Sequence, residues 1–147
     1  MTTAANKLGC VFPGQGSQFV GMCADFAKRF PVFAETLREA NDVLGFALDE
    51  LISEGPAEAL DQTLNTQPAL LAVSVGLWRT YRELGGAETA CLAGHSLGEY
   101  SALVAAQAIS FSAALNLVRA RAEYMQAAVL FHFKLTIPLL MAWHCCS

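Results

Sequence analysis

With 147 residues, the chain has room for one domain with a real core but is short for most two-domain enzymes. It is 54% hydrophobic and 15% charged, with a formal net charge of −4. That balance gives no support to nucleic-acid binding, which draws on basic patches. Five cysteines, at 10, 23, 91, 145 and 146, show no Cys-x-x-Cys spacing, so buried reduced thiols are expected in place of a disulfide frame or a metal site. Met1 to Lys7 lacks the apolar core of a signal peptide, and a cytoplasmic location is expected.

Leu8–Phe12 reads as a short buried strand, closed by the loop cluster Pro13-Gly14-Gln15-Gly16-Ser17-Gln18. Apolar residues recur at helical spacing from Met22 to Phe30 and again from Pro31 to Leu44. Pro31 suits a first helical turn and Gly45 a stop. Two short helices are expected around Leu48–Ile52 and Pro56–Asp61. Pro68 is then expected to open a long apolar helix closed by Gly85-Gly86. Thr89–Ala93 has the composition of a second buried strand, and Leu97–Ala108 that of a helix. Ser110 fits the N-cap of a last helix, in which Phe111, Leu115, Val118, Ala122 and Met125 follow helical spacing. This order predicts an α/β fold, with a parallel sheet covered by helices.

The end of the chain departs from this pattern. Of 9 basic and 13 acidic residues, only Lys134 lies beyond Ala128. Val129–Ser147 is interrupted by Lys134, Pro138 and two histidines, and falls short of the uninterrupted run of roughly 18 apolar residues that a membrane span needs. Val129–Ile137 could make a strand, although Pro138 would bar a central one. The chain therefore divides into 1–128 and an atypical apolar tail, 129–147.

Between the second strand and its helix stands Gly94-His95-Ser96-Leu97-Gly98. A Gly-x-Ser-x-Gly at such a junction is a nucleophile elbow, a strained turn that exposes the serine hydroxyl at a helix N-terminus. There, unpaired amides favour a developing negative charge. The plainer reading is a glycine-flanked turn whose serine caps the helix. The loop 13–18 alone reads equally well as a simple turn after a strand. Arg121 borders the apolar face of the last helix, where a planar guanidinium wants a carboxylate, either a surface Asp or Glu or a ligand. Arg119 points elsewhere and is expected to be solvated. His95 adjoins Ser96, but neighbours on a tight turn project differently, so packing is its expected role; Glu99 and Tyr100 are expected to be structural.

Taken together, Val11-Phe12-Pro13-Gly14-Gln15-Gly16-Ser17-Gln18, Thr66-Gln67-Pro68-Ala69-Leu70 and Gly94–Leu103 resemble the malonyl-CoA:acyl-carrier-protein transacylases of fatty-acid synthesis. The resemblance runs from Leu8 to Ala128. It implies that Ser96 is the nucleophile and carries the malonyl group as an ester between two thiols. It also implies an oxyanion hole built from the backbone N–H groups of Leu97 and Gln15, and an arginine, Arg121, that holds the free malonyl carboxylate. The implied partners are malonyl-CoA and acyl-carrier protein, with a coenzyme A thioester as substrate and neither cofactor nor metal. Family members take a general-base histidine from far downstream, after a small ferredoxin-like subdomain, and neither has a counterpart here. His132 and His144 sit in the tail without matching surroundings. The expectation is an N-terminal portion with a divergent end, as a frame change or alternative terminus would produce, and nearly inactive alone. Rival readings are a serine hydrolase, patatin-like or an α/β-hydrolase, the latter of which would want a His-Gly-Gly-Gly loop that is missing, and a non-catalytic fragment that binds carrier protein or an intact enzyme. A polyketide-synthase acyltransferase domain shares the elbow.

Overall fold

The computed structural model describes residues 8–144, with side chains described from residue 8 to residue 128. Strand β1 (Leu8–Phe12) is followed by helices α1 (Ala24–Arg29), α2 (Pro31–Leu44), α3 (Leu48–Glu54), α4 (Ala57–Leu60) and α5 (Thr63–Glu83). Strand β2 (Thr89–Gly94), α6 (Gly98–Ala105) and α7 (Phe111–His144) complete the order. β1 and β2 run parallel, with Val11 opposite Ala93 and Phe12 opposite Gly94. The fold is a helix-rich α/β arrangement with a small parallel sheet, as the pattern of elements predicts.

α5 is the centre of the core because its apolar residues are too dense for one stripe. Ala69, Leu70, Leu71, Ala72, Val73 and Val75 are all buried. α2 brings Phe33, Leu37, Ala40 and Leu44 to it, and α7 brings Ala114, Leu115, Val118 and Ala122. The caps read from sequence are present: Pro31 opens α2, and the Ser110 hydroxyl accepts from the Ala113 N–H at 3.2 Å. Phe12 joins the sheet to this core, its ring meeting Trp78 edge-on with centroids 6.2 Å apart.

Several expectations need correction. α5 begins at Thr63, so Pro68 lies inside the helix and does not open it. Proline removes one intrahelical bond there, and the turn before it is held from outside. Thr66 Oγ1 donates to the Leu60 carbonyl at 2.6 Å, and Asn65 Nδ2 to the Ala59 carbonyl at 2.9 Å. The strands, expected to be buried, are largely exposed: Val11 is 74% exposed, and Ala90, Cys91 and Ala93 are open to solvent. The described helices leave that side of the sheet uncovered. Cysteines 10 and 23 are half-buried and Cys91 is exposed, all as free thiols, while Cys145 and Cys146 lie outside the described residues. The stretch 129–137, offered as a possible strand, continues the backbone of α7. Extending a nucleated helix gains one bond per residue fixed, and Leu130, Lys134 and Leu135 favour it. Among the described residues no helix is long and apolar enough to cross a membrane. Arg119 is not merely solvated: its Nη1 donates to the Leu44 carbonyl at 3.1 Å, which ties α7 to the C-terminus of α2.

Burial lifts the Cys10 and Cys23 thiols above their ordinary pKa. At mildly alkaline pH they therefore carry less thiolate, and iodoacetamide should alkylate Cys91 before either, as peptide mass mapping would record. Leu71→Ala, at a fully buried position, should cost about 2–5 kcal/mol of unfolding free energy. Val11→Thr should change it by under about 0.5 kcal/mol. Urea titrations followed by circular dichroism check both.

Candidate active site

The junction of β2 and α6 is built by backbone approaching backbone. A Cβ at Gly94 would overlap the carbonyl of Gly98, and a Cβ at Gly98 would overlap the carbonyl of Phe12 at the end of β1. The His95 N–H donates to that same Phe12 carbonyl at 3.2 Å. With the two glycines allowing this closeness, the residue between them takes up the turn. Ser96 has φ of 53°, in the left-handed region, at a cost of about 1–3 kcal/mol. Gly98 N–H then donates to the His95 carbonyl at 2.9 Å and Glu99 N–H to the Ser96 carbonyl at 3.2 Å, starting α6 at once. Ser96 is left exposed and Leu97 buried, the arrangement of a strained elbow.

Arg121 reaches this elbow from α7. Its Nη2 donates to Ser96 Oγ at 3.0 Å, and its Nη1 donates to Gln67 Oε1 at 2.8 Å. Gln67 is fully buried in α5, and its Nε2 lies 3.3 Å from Met125 Sδ, one turn beyond Arg121. The guanidinium is therefore held by neutral groups on two sides. Among the described residues no carboxylate pairs with it, which departs from the surface ion pair that base rates favour. Gln67 was visible in sequence only as part of Thr66-Gln67-Pro68, with no role attached. Its signal is the polar residue inside an otherwise apolar helical stretch.

The loop after β1 lies against the elbow. A Cβ at Gly14 would stand 2.8 Å from the His95 carbonyl and 3.0 Å from His95 Nδ1, so glycine is needed for close approach. Gly16 needs glycine for another reason: nothing lies within 4 Å of its missing Cβ, but its φ is +106°. The loop is braced by Gln18, whose Oε1 accepts from the Gly16 N–H at 2.9 Å and whose Nε2 donates to Asp61 at 2.8 Å. Gln15 turns its side chain to Thr63 Oγ1 at 3.2 Å. Neither the Gln15 N–H nor the Leu97 N–H has a hydrogen-bond partner among the described residues. His95 packs beside Gly14, and Ser96 Oγ is bonded to Arg121 instead of to its histidine neighbour. Among the described residues no group of His, Cys, Asp or Glu could hold a metal.

An exposed hydroxyl on a strained elbow thus stands beside a guanidinium and a glycine loop, with the Gln15 and Leu97 amides unpaired among the described residues. The family model for the acyl transferase domain matches residues 10–132, and the chain belongs to that family. It is 55% identical over 119 residues to the malonyl CoA-acyl carrier protein transacylase of Escherichia coli K12, covering 81% of this chain and 38% of the relative. The structure is similar to a crystal structure of an acyl carrier protein S-malonyltransferase from Vibrio cholerae, with a TM-score of 0.80 and 55% identity. That match covers 82% of this chain and 39% of the other. A malonyl-transacylase solved in complex with its type II polyketide-synthase acyl-carrier protein matches with a TM-score of 0.81, at 54% identity over 83% of this chain and 40% of that one. The chain thus spans about two fifths of the length of these three relatives, and corresponds to their N-terminal part.

Gly98→Ala must displace the end of β1 from the elbow, and is expected to cost more than about 1 kcal/mol, as overpacking does. Thermal melting checks this, and the elbow account expects Ala106→Ser, on an exposed residue past the end of α6, to leave the melt unchanged.

Proposed function

We propose that this chain carries the acyl-accepting half of a malonyl-CoA:acyl-carrier-protein transacylase. The observation that carries the reading is the 3.0 Å contact between Arg121, on α7, and Ser96, in the strained turn between β2 and α6. Ser96 Oγ attacks the thioester carbonyl of malonyl-CoA, its proton passes to a base, and coenzyme A leaves as the thiol. The malonyl ester then moves to the phosphopantetheine thiol of acyl-carrier protein in the reverse sense. The free amides of Gln15 and Leu97 are proposed as the oxyanion donors; losing one such donor typically costs about 3 kcal/mol of transition-state stabilisation. Arg121 exchanges its bond to Ser96 for the malonyl carboxylate, and Gln67 keeps the guanidinium in place. No cofactor beyond the thioester substrate enters this chemistry, and a cytoplasmic setting accompanies it.

Among the described residues Ser96 has no general base beside it, and no histidine is hydrogen-bonded to its Oγ. The same proposal takes 1–128 as the N-terminal part of the transacylase large subdomain and 129–147 as an atypical apolar tail. Without a base, turnover should fall several orders of magnitude below that of an intact relative. Transfer is favoured over hydrolysis by the carboxylate-sized cation at the nucleophile, which an ordinary ester hydrolase does not need.

Prolonged incubation with radiolabelled malonyl-CoA, read by intact mass, should show slow single labelling of the chain that Ser96→Ala abolishes. Arg121→Ala should weaken malonyl labelling by about 10- to 100-fold, the loss of a charge-assisted contact. Labelling that survives Ser96→Ala would overturn the assignment, and rapid release of free malonate would favour a hydrolase.

A further inference from the structure

Arg121 is held by a relay of side chains that ends on sulfur. Its Nη1 donates to Gln67 Oε1 at 2.8 Å, and Gln67 Nε2 in turn donates to Met125 Sδ at 3.3 Å. Gln67 is fully buried, so the orientation of its amide matters. A carboxamide presents an acceptor on one side and donors on the other. Turned over, it would set its NH2 group against the guanidinium, donor facing donor. Among the described residues Met125 Sδ is the acceptor that the Gln67 amide nitrogen has, so the thioether decides which way the amide faces. Met125 follows Arg121 by four residues and shares its face of α7. A thioether is a weak acceptor, and it is open to oxidation.

Two methionines have described side chains, and they differ in access: Met22 is 3% exposed and Met125 40%. We propose that Met125 is an oxidation site that controls the hold on the acyl carboxylate, with hydrogen peroxide as the oxidant. A clamp that admits an acyl thioester also admits peroxide, which is far smaller. The thioether sulfur attacks one peroxide oxygen, the O–O bond breaks, and the sulfoxide and water result; sulfur gives up two electrons and peroxide takes them. The added oxygen has no room within a 3.3 Å contact. Met125 must therefore turn its sulfur toward solvent or push the amide aside. In the first case Gln67 Nε2 loses its acceptor inside the protein; in the second, Gln67 Oε1 shifts away from Arg121 Nη1. Both leave the guanidinium without its fixed orientation beside Ser96. Reduction of the sulfoxide reverses the change. The effect of oxidation on Gln67 rests on these contacts alone; the effect on a malonyl carboxylate rests on the function proposed above.

The test treats the intact chain with hydrogen peroxide and maps oxidation by tryptic peptide mass. Cleavage after Lys7, Lys28, Arg121 and Lys134 puts each methionine on its own peptide. Met125 is expected to oxidise well before Met22, and the Gln67 side-chain amide resonance of a nitrogen-labelled sample to move in step. Malonate, titrated through the Arg121 N–H resonance, should then bind about 3- to 10-fold more weakly, as loss of one hydrogen bond implies. Methionine sulfoxide reductase should restore it. Met125→Leu, with no acceptor for Gln67, should bind malonate as weakly before peroxide as after it, which separates Met125 from the cysteines. Oxidation of Met22 first, a Gln67 resonance that stays in place when Met125 is oxidised, or a peroxide-induced loss that also appears in Met125→Leu would each overturn the proposal. A Gln67 shift in a chain that binds no malonate even before peroxide supports the relay and contradicts only the functional reading.

Discussion

Everything at the site depends on one backbone approach, that of Gly98 to the carbonyl of Phe12. It places the start of α6 against the end of β1, and it leaves no room for a side chain. With Gly94 equally close to Gly98, the chain between them has no extended path open to it, and Ser96 takes a left-handed φ of 53°. The strain is local and over-determined by its surroundings: Phe12 is anchored by Trp78, and Leu97 is buried under the helix layer. A turn of this kind exposes the hydroxyl while burying the residue that follows, so the exposure of Ser96 and the start of α6 share one geometric cause.

Arg121 adds the second constraint. A guanidinium held by a buried amide and a hydroxyl has no neutralising partner among the described residues. Such an arrangement makes sense where an anion is to arrive, because a permanent carboxylate would have to be displaced first. Gln67 matters here as a fixed, neutral anchor. It orients the fork without competing for charge, and its own amide is satisfied from α7 through Met125.

Much of this was legible in the sequence where a local signal decides the outcome. β1 and α2 occupy the spans their residues predict, because Pro13, Pro31 and Gly45 punctuate them. Ser96 was visible from glycine spacing, and Arg121 from its place beside an apolar stripe. What was not legible depends on contacts between distant segments. The start of α5 was misread because Thr66 and Asn65 are held by α4, not by any feature of their own turn. The exposure of the strands was hidden for a related reason: their composition is that of a covered sheet, whereas the described helices leave one side of it bare. Gly16 shows the limit in miniature, since a glycine needed for φ and one needed for space look alike on the page.

The central claim is that Ser96 and Arg121 form a site prepared for an acyl group bearing a free carboxylate. The most direct measurement is a malonate titration of the nitrogen-labelled chain, followed through the arginine side-chain N–H resonances by NMR, with Arg121→Lys for assignment. The account predicts a saturable shift of the Arg121 resonance with malonate, accompanied by the Gln67 side-chain amide, and the same shift lost in Ser96→Trp, which fills the site. An Arg121 resonance that does not move, or that moves equally with chloride, would contradict it.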